Sequence, residues 1–341
     1  MKLQTLISIS AVGLLLRNGS RAQEPTSASD IDRANALLVQ MTTQEKIGQL
    51  NPLFYRESST SNTATAKVSY EDQVRNGEIG SLLMVTDPAI INRLQKIAMT
   101  EQRLHIPILF GFDIIHGFDT EFPVPLAMAA SWDPAMVEQA QAIAAEEALH
   151  AGVHWTFAPM VDIARDPRWG RISEGAGEDP YLGAAMARAQ VNGFQGTPAN
   201  PRPFMATLKH FAGYGAADGG RDYDAAYISE ERLENVYLPP FKAGVEAGAG
   251  SVMSAYMDLN NVPASGNEYL LQDILRKQLH FGGFVVSDAF AVRSMVVQGF
   301  ANSPQRMGAP HLDFEMWETT HPTPPRFRPL QTITQKSAHY T

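Results

Sequence analysis

The chain has 341 residues, a formal net charge of −9, 44% hydrophobic and 18% charged residues, and no cysteine. That composition belongs to a globular protein, and it excludes disulfides, thiolate nucleophiles and cysteine-based metal sites. No run of basic residues supports nucleic-acid binding, and the length suits one large domain or one α/β barrel with short additions.

The chain opens with MKLQTLISISAVGLLLRNGSRAQEP. Lys2, the apolar stretch Leu6–Leu16 and the small-x-small site Ser20-Arg21-Ala22 follow one another in the order of a signal peptide, expected over residues 1–22. The stretch is too short to span a bilayer, and no later segment is long and apolar enough to do so. Asp30–Gln49 has helical spacing, with Thr42 or Thr43 as cap and Glu45 in the first turn. SSTSNTATAK then reads as a surface loop.

From there short apolar runs alternate with longer amphipathic ones. The strand candidates are Gly80–Thr86, Pro107–Phe112, Trp155–Met160, Met205–Phe211, Ser251–Met257 and Gly283–Ser287. Asp133-Pro134 opens a helix through His150 that stops at Gly152. Ser229 suits the cap of a helix over Glu230–Val245, and Asn267 of one over Glu268–Phe281. Apolar strands between amphipathic helices imply a parallel sheet covered on both faces. A doubly wound sheet and a (β/α)8 TIM-like barrel both fit, and the strand count favours the barrel, expected over residues 30–317. Its last βα unit is represented only by HLDFEM, so the barrel is expected to be incomplete there. After Trp317 no periodicity remains, and residues 318–341 read as disordered or foreign to the fold.

Polar residues close several of the apolar runs. In GGFVVSDAFAV a hydrophobic strand delivers Asp288, a carboxylate able to attack an anomeric carbon and leave again; the same residue also suits the N-cap of the next helix. In MATLKHFAGYG, Lys209 and His210 can grip adjacent sugar hydroxyls, or be a snorkelling lysine beside a core histidine. PMVDIARDPRWGRISEGAGEDP is dense in opposite charge, fit for a loop shaped by bidentate ion pairs with one arginine left for a ligand. Asp113, in FGFDIIHG, suits paired hydroxyls or a strand-end cap.

Together, FGFDIIHG, FPVPLAMAASWD, APMVDIARDPRWGRISEGAGEDP, LKHFAGYGAADGGRDY, MSAYMDLNNVPAS and GGFVVSDAFAV resemble glycoside hydrolase family 3 over roughly residues 32 to 300. The resemblance implies that Asp288 is the nucleophile of a retaining β-glucosidase-type hydrolase. It implies that Asp113, Arg171, Lys209 and His210 hold the glycone in subsite −1, that Tyr256 lines it, and that Arg165, Arg168 and Glu174 shape the loop. Lys209 is expected to help keep Asp288 ionised. The implied substrate is a small carbohydrate, a β-glucoside or oligosaccharide. No metal or organic cofactor is implied, and the location implied is periplasmic or secreted.

The chain departs from the family in its acid/base. In multi-domain members that glutamate comes from a second domain, and in single-domain members a histidine follows the KHF motif. Here AGYGAADGGRDYDAAYIS contains no histidine. The chain therefore reads as a truncated or frameshifted product. Ala289 and Phe290 stand where many relatives have Trp or His. The alternatives are a sugar-binding fragment lacking its acid/base, and β-xylosidase specificity.

Overall fold

The computed structural model describes residues 28–56, 69–197, 199–300 and 312–316. The expected signal peptide, the loop SSTSNTATAK and the tail from 318 lie outside these residues.

The first four strands are β1 (Pro52–Phe54), β2 (Ser81–Leu83), β3 (Leu109–Phe112) and β4 (Trp155–Thr156), parallel neighbours in chain order. A small antiparallel hairpin follows, β5 (Gly196–Thr197) with β6 (Asn200–Pro201). Then β7 (Thr207–Phe211), β8 (Ser251–Ser254) and β11 (Phe284–Val286) run parallel. Between the last two lies a ribbon of β9 (Asp258–Leu259) and β10 (Val262–Pro263). Parallel bridges Trp155↔Met205 and Met160↔Lys209 join β4 to β7, and Val286↔Phe314 adds an eighth position beside β11. The fold is the (β/α)8 TIM-like barrel, and HLDFEM supplies its last strand position through residues 312–316.

Alternation along each strand sorts the side chains into two cores. Leu83, Leu109, Phe284 and Phe314 turn inward with Trp155 to fill the barrel. Their neighbours Leu82, Phe110 and Val285 turn outward under the helices. Trp155 is fully buried at the centre, and its indole N–H donates to Thr207 Oγ1 at 2.8 Å and Ser251 Oγ at 3.1 Å, so no polar atom of the ring is stranded. Gly111 lies on the same layer. A Cβ there would sit 3.0–3.2 Å from Leu83, Phe157 and Trp155, and the absent side chain makes room for the indole.

The strands are shorter than their apolar runs. Trp155–Met160 keeps a regular strand only over Trp155–Thr156; beyond it the carbonyls of Ala158 and Pro159 accept from Thr207 and Lys209, while Pro159 has no N–H to give the ladder. Among the parallel strands, β1 is the one that the alternation of the sequence does not mark. The caps fall where the residue types put them. Thr42 and Glu45 form a reciprocal capping box, Asp133 caps Pro134–Ala151, and that helix stops at Gly152 with φ +94°. Asn267 Oδ1 accepts from Leu270 N at 3.2 Å.

The expected single helix from Glu230 is broken. It begins α-helical over Glu230–Arg232, widens to a π-turn over Leu233–Tyr237, and resumes over Pro239–Glu246. The cause is Pro239-Pro240, whose rings would collide with the carbonyls four residues earlier in a continuous α-helix. Among the described residues, no helix is long and apolar enough to cross a membrane.

Candidate active site

Five segments bring their polar residues to the C-terminal ends of the strands, the face where barrels of this kind gather reactive groups. Asp113 follows β3, Arg171 lies in the 3₁₀ turn Gly170–Glu174 after β4, and Lys209 and His210 belong to β7. Tyr256 follows β8, and Asp288 follows β11.

Asp288 is buried, with its side chain 13% exposed. Its Oδ1 accepts from the N–H of Ala289 at 2.7 Å, and its Oδ2 lies 3.4 Å from His210 Nε2. It does not cap the next helix, whose N-cap is Phe290 with no side-chain bond. Burial raises its pKa above the ordinary carboxylate value. The Ala289 N–H, Lys209, Arg171 and Tyr256 oppose that rise without cancelling it. The expectation that Lys209 favours the ionised form therefore holds in direction, while desolvation dominates.

Lys209 does not snorkel. It is 3% exposed, and its Nζ donates to Asp113 Oδ2 at 2.6 Å. Asp113 Oδ1 has no hydrogen-bond partner among the described residues. That oxygen is itself buried, so its unmet acceptor capacity lies beneath the surface of the site.

His210 is 1% exposed. Its main-chain N–H and its Nδ1 both meet Asp162 Oδ2, at 2.9 and 2.8 Å, and Arg171 Nη2 stands 3.1 Å from its Nε2. Burial first, then the charges of Arg171 and Lys209, hold its pKa well below the usual histidine value, so the ring is neutral. Burial pushes Asp162 up to about 7, against the pull of the His210 N–H and of Arg171.

Arg171 clasps Glu174 in a bidentate pair, Nε to Oε1 at 2.8 Å and Nη2 to Oε2 at 2.9 Å. Burial works against its charge, but Glu174 and Asp288 outweigh burial and raise its pKa. Its guanidinium also lies over the ring of Tyr214. Arg168 clasps Asp166 in the same way but is 74% exposed, and Arg165 is exposed as well. Arg168 is thus spent on a pair within the loop, whereas Arg171 reaches His210.

Tyr256 donates to the carbonyl of Ala289 at 2.8 Å. Burial and the Asp288 charge raise its pKa. Tyr214 packs edge-on against His210, and Tyr223 packs edge-on against Tyr256. Asp162, Tyr214 and Tyr223 are the neighbours that reading the sequence missed; their only signal is that they lie within motifs already singled out. Two carboxylates of the loop after β7 are engaged elsewhere, Asp222 by Trp169 and Asp224 by Arg221.

All six singled-out residues thus meet: Asp113, Arg171, Lys209, His210, Tyr256 and Asp288. The fold and site define a (β/α)8 barrel with a buried carboxylate ringed by cationic and neutral hydrogen-bonding groups at its C-terminal face. The chain belongs to glycosyl hydrolase family 3: residues 42–327 match the model of the family's N-terminal domain. It is 40% identical over 270 residues to a periplasmic beta-glucosidase of Salmonella typhimurium, covering 79% of this chain and 34% of that protein. It is 37% identical over 258 residues to a beta-xylosidase of Formosa agariphila, covering 71% and 35%. A beta-glucosidase from Listeria innocua, solved in complex with glucose, superposes with a TM-score of 0.77 at 34% identity, covering 84% of this chain and 42% of that one. The chain spans about a third of the length of the two curated relatives.

Proposed function

We propose that the chain is the catalytic barrel of an exo-acting, retaining β-glucosidase, with Asp288 as its nucleophile. The observation that carries this is the placing of Asp288: a buried carboxylate at the end of β11, beside Arg171, Lys209 and His210, in a family 3 barrel. In this reading a carboxylate oxygen of Asp288 attacks the anomeric carbon as the bond to the leaving oxygen breaks. The product is a glycosyl ester, which water then cleaves with release of the carboxylate. A second carboxyl group, about 5–5.5 Å from the first, gives the leaving oxygen its proton and later activates the water. None of the described residues is assigned that role. Asp113, paired to Lys209 through one carboxylate oxygen, is read as taking sugar hydroxyls, Lys209 and Arg171 as donating to them, and Tyr256 as a wall. Subsites for a terminal β-D-glucosyl unit are supported by the glucose complex of the Listeria protein. A periplasmic or secreted location is supported by the order of segments in residues 1–22 and by the Salmonella relative.

Two further readings have specific support: the Formosa relative favours a xyloside, and the unassigned acid/base favours a sugar-binding barrel. The test is hydrolysis of 4-nitrophenyl β-D-glucoside and β-D-xyloside by wild type and Asp288→Ala, each with and without azide. Hydrolysis of the glucoside that falls roughly a thousandfold or more in the variant supports the proposal. Preference for the xyloside moves the specificity. Acceleration of the wild type by azide identifies a working nucleophile without its acid/base. No turnover in any arm, from folded protein, leaves binding alone.

A further inference from the structure

We propose that Asp162 is a positioning residue that keeps His210 from hydrogen-bonding to the Asp288 carboxylate. This rests on the reading of Asp288 and His210 as site residues.

The argument is one of protons. Asp162 Oδ2 receives the main-chain N–H of His210 at 2.9 Å, and a main-chain N–H can only donate. The oxygen facing it is therefore an acceptor. The same oxygen lies 2.8 Å from His210 Nδ1, so Nδ1 carries the ring proton. The opposite side of the ring is compatible with that tautomer. Arg171 Nη2, which also can only donate, lies 3.1 Å from Nε2, so Nε2 presents a lone pair. His210 is thereby fixed in its Nδ1–H tautomer.

The consequence falls on Asp288. Its Oδ2 lies 3.4 Å from the bare Nε2, an approach of two acceptors with no proton between them. In the other tautomer, Nε2–H would point at that oxygen and engage the lone pair that has to attack. Asp162 thus leaves the nucleophile open. Asp162 itself is 2% exposed and makes no contact with the open face of the site through Oδ2, which His210 occupies twice.

The experiment is long-range proton–nitrogen NMR of the full chain carrying ¹⁵N-histidine, with His210 assigned by its loss in His210→Gln. The wild type is expected to show His210 as the Nδ1–H tautomer. Asp162→Asn is expected to keep that signature. The His210 N–H forces the amide oxygen, not its NH2 group, to face the ring. Asp162→Leu removes the acceptor, and His210 is expected to shift to Nε2–H. The value of kcat on 4-nitrophenyl β-D-glucoside is then expected to fall at least tenfold further than in Asp162→Asn, with a smaller change in the binding of gluconolactone. An Nε2–H signature in the wild type, or an unchanged Nδ1–H signature in Asp162→Leu, overturns the proposal. If Asp162→Leu does not fold, the wild-type tautomer decides. If the wild type hydrolyses no glycoside, the proposed function fails while the tautomer still settles the role of Asp162.

Discussion

Asp288 holds a charge that its surroundings resist, and two predictions follow from the direction of that shift. Its pKa in the folded state is raised above the ordinary value of about 3.9, so the folded protein favours the protonated carboxyl, and ionisation at neutral pH costs stability. Asp288→Asn is therefore expected, on the proposed function, to abolish turnover and to raise stability at pH 7, read as a higher Tm. The gain should shrink as the pH falls to the ordinary carboxylate value, where the wild-type group is protonated as well. Calorimetry at pH 7 and pH 4 checks this; equal gains at both would remove the electrostatic explanation. The second prediction concerns rate. In the proposed mechanism attack needs the ionised form, so the acid limb of kcat/KM should lie above the ordinary carboxylate range. Lys209→Met removes one of the charges that hold it down and should move the limb to still higher pH. At this scale the sequence showed which residues close the strands but not which of them face inward. Arg168 with Asp166 and Arg171 with Glu174 are similar short-range pairs, yet the side chain of the first arginine is 74% exposed and that of the second 20%. Only the path of the loop across the barrel mouth separates them. Asp162 lay hidden for the same reason, one acid among five in a charged motif.

Helix ends were the most legible elements, because a cap is a local bargain between one side chain and the next turn. Thr42 takes the N–H of Glu45 while Glu45 returns to the N–H of Thr42, and Arg103 grips the same carboxylate at 2.6 Å. Glu45 is drawn down to about 2, first by Arg103, against the pull of burial. Its contribution to stability is thus complete above about pH 4.5 and is lost as the pH falls towards 2. Thr42→Ala is expected to cost about 1 kcal/mol, read as a lower urea midpoint at unchanged slope. Other elements could not be read locally. β1 is three residues beginning with a proline, and it becomes a strand only because β2 is there to pair with it. The segment after Asn267 has helical periodicity, but its bonds run from Leu279 N to Ile274 O, five residues back. A pattern of apolar residues does not distinguish that spacing from the α-helical one over so short a stretch.

The whole barrel depends on how its last strand is fastened. Arg276 reaches from the helical segment before β11 to the carbonyls of Phe281 and Gly283 and to Asp313 Oδ2 at 2.9 Å. The same oxygen takes the N–H of Val285 at 2.8 Å. Both partners are largely shielded from water, so Asp313→Ala leaves a buried guanidinium without its counter-charge, held only by the two carbonyls. It is expected to cost about 3 kcal/mol, measured as a shift of the urea midpoint. The sequence marked HLDFEM as a fragment of a strand. That it takes a strand position follows from its bridge to Val286 and from Phe314, which packs against Trp155 and Phe284 across the interior and not along the chain.

The fastening of that strand also fixes an order of events during synthesis. The loop that carries Asp288 is tied by Ser287 N to Phe314 O and by Phe290 N to Met316 O, while Ser287 Oγ takes the N–H of Met316. Residues 1–300, with every member of the candidate site, leave the ribosomal exit tunnel before the segment that holds the Asp288 loop. The growing chain would therefore present all six residues before the Asp288 loop gains the hydrogen bonds that hold it.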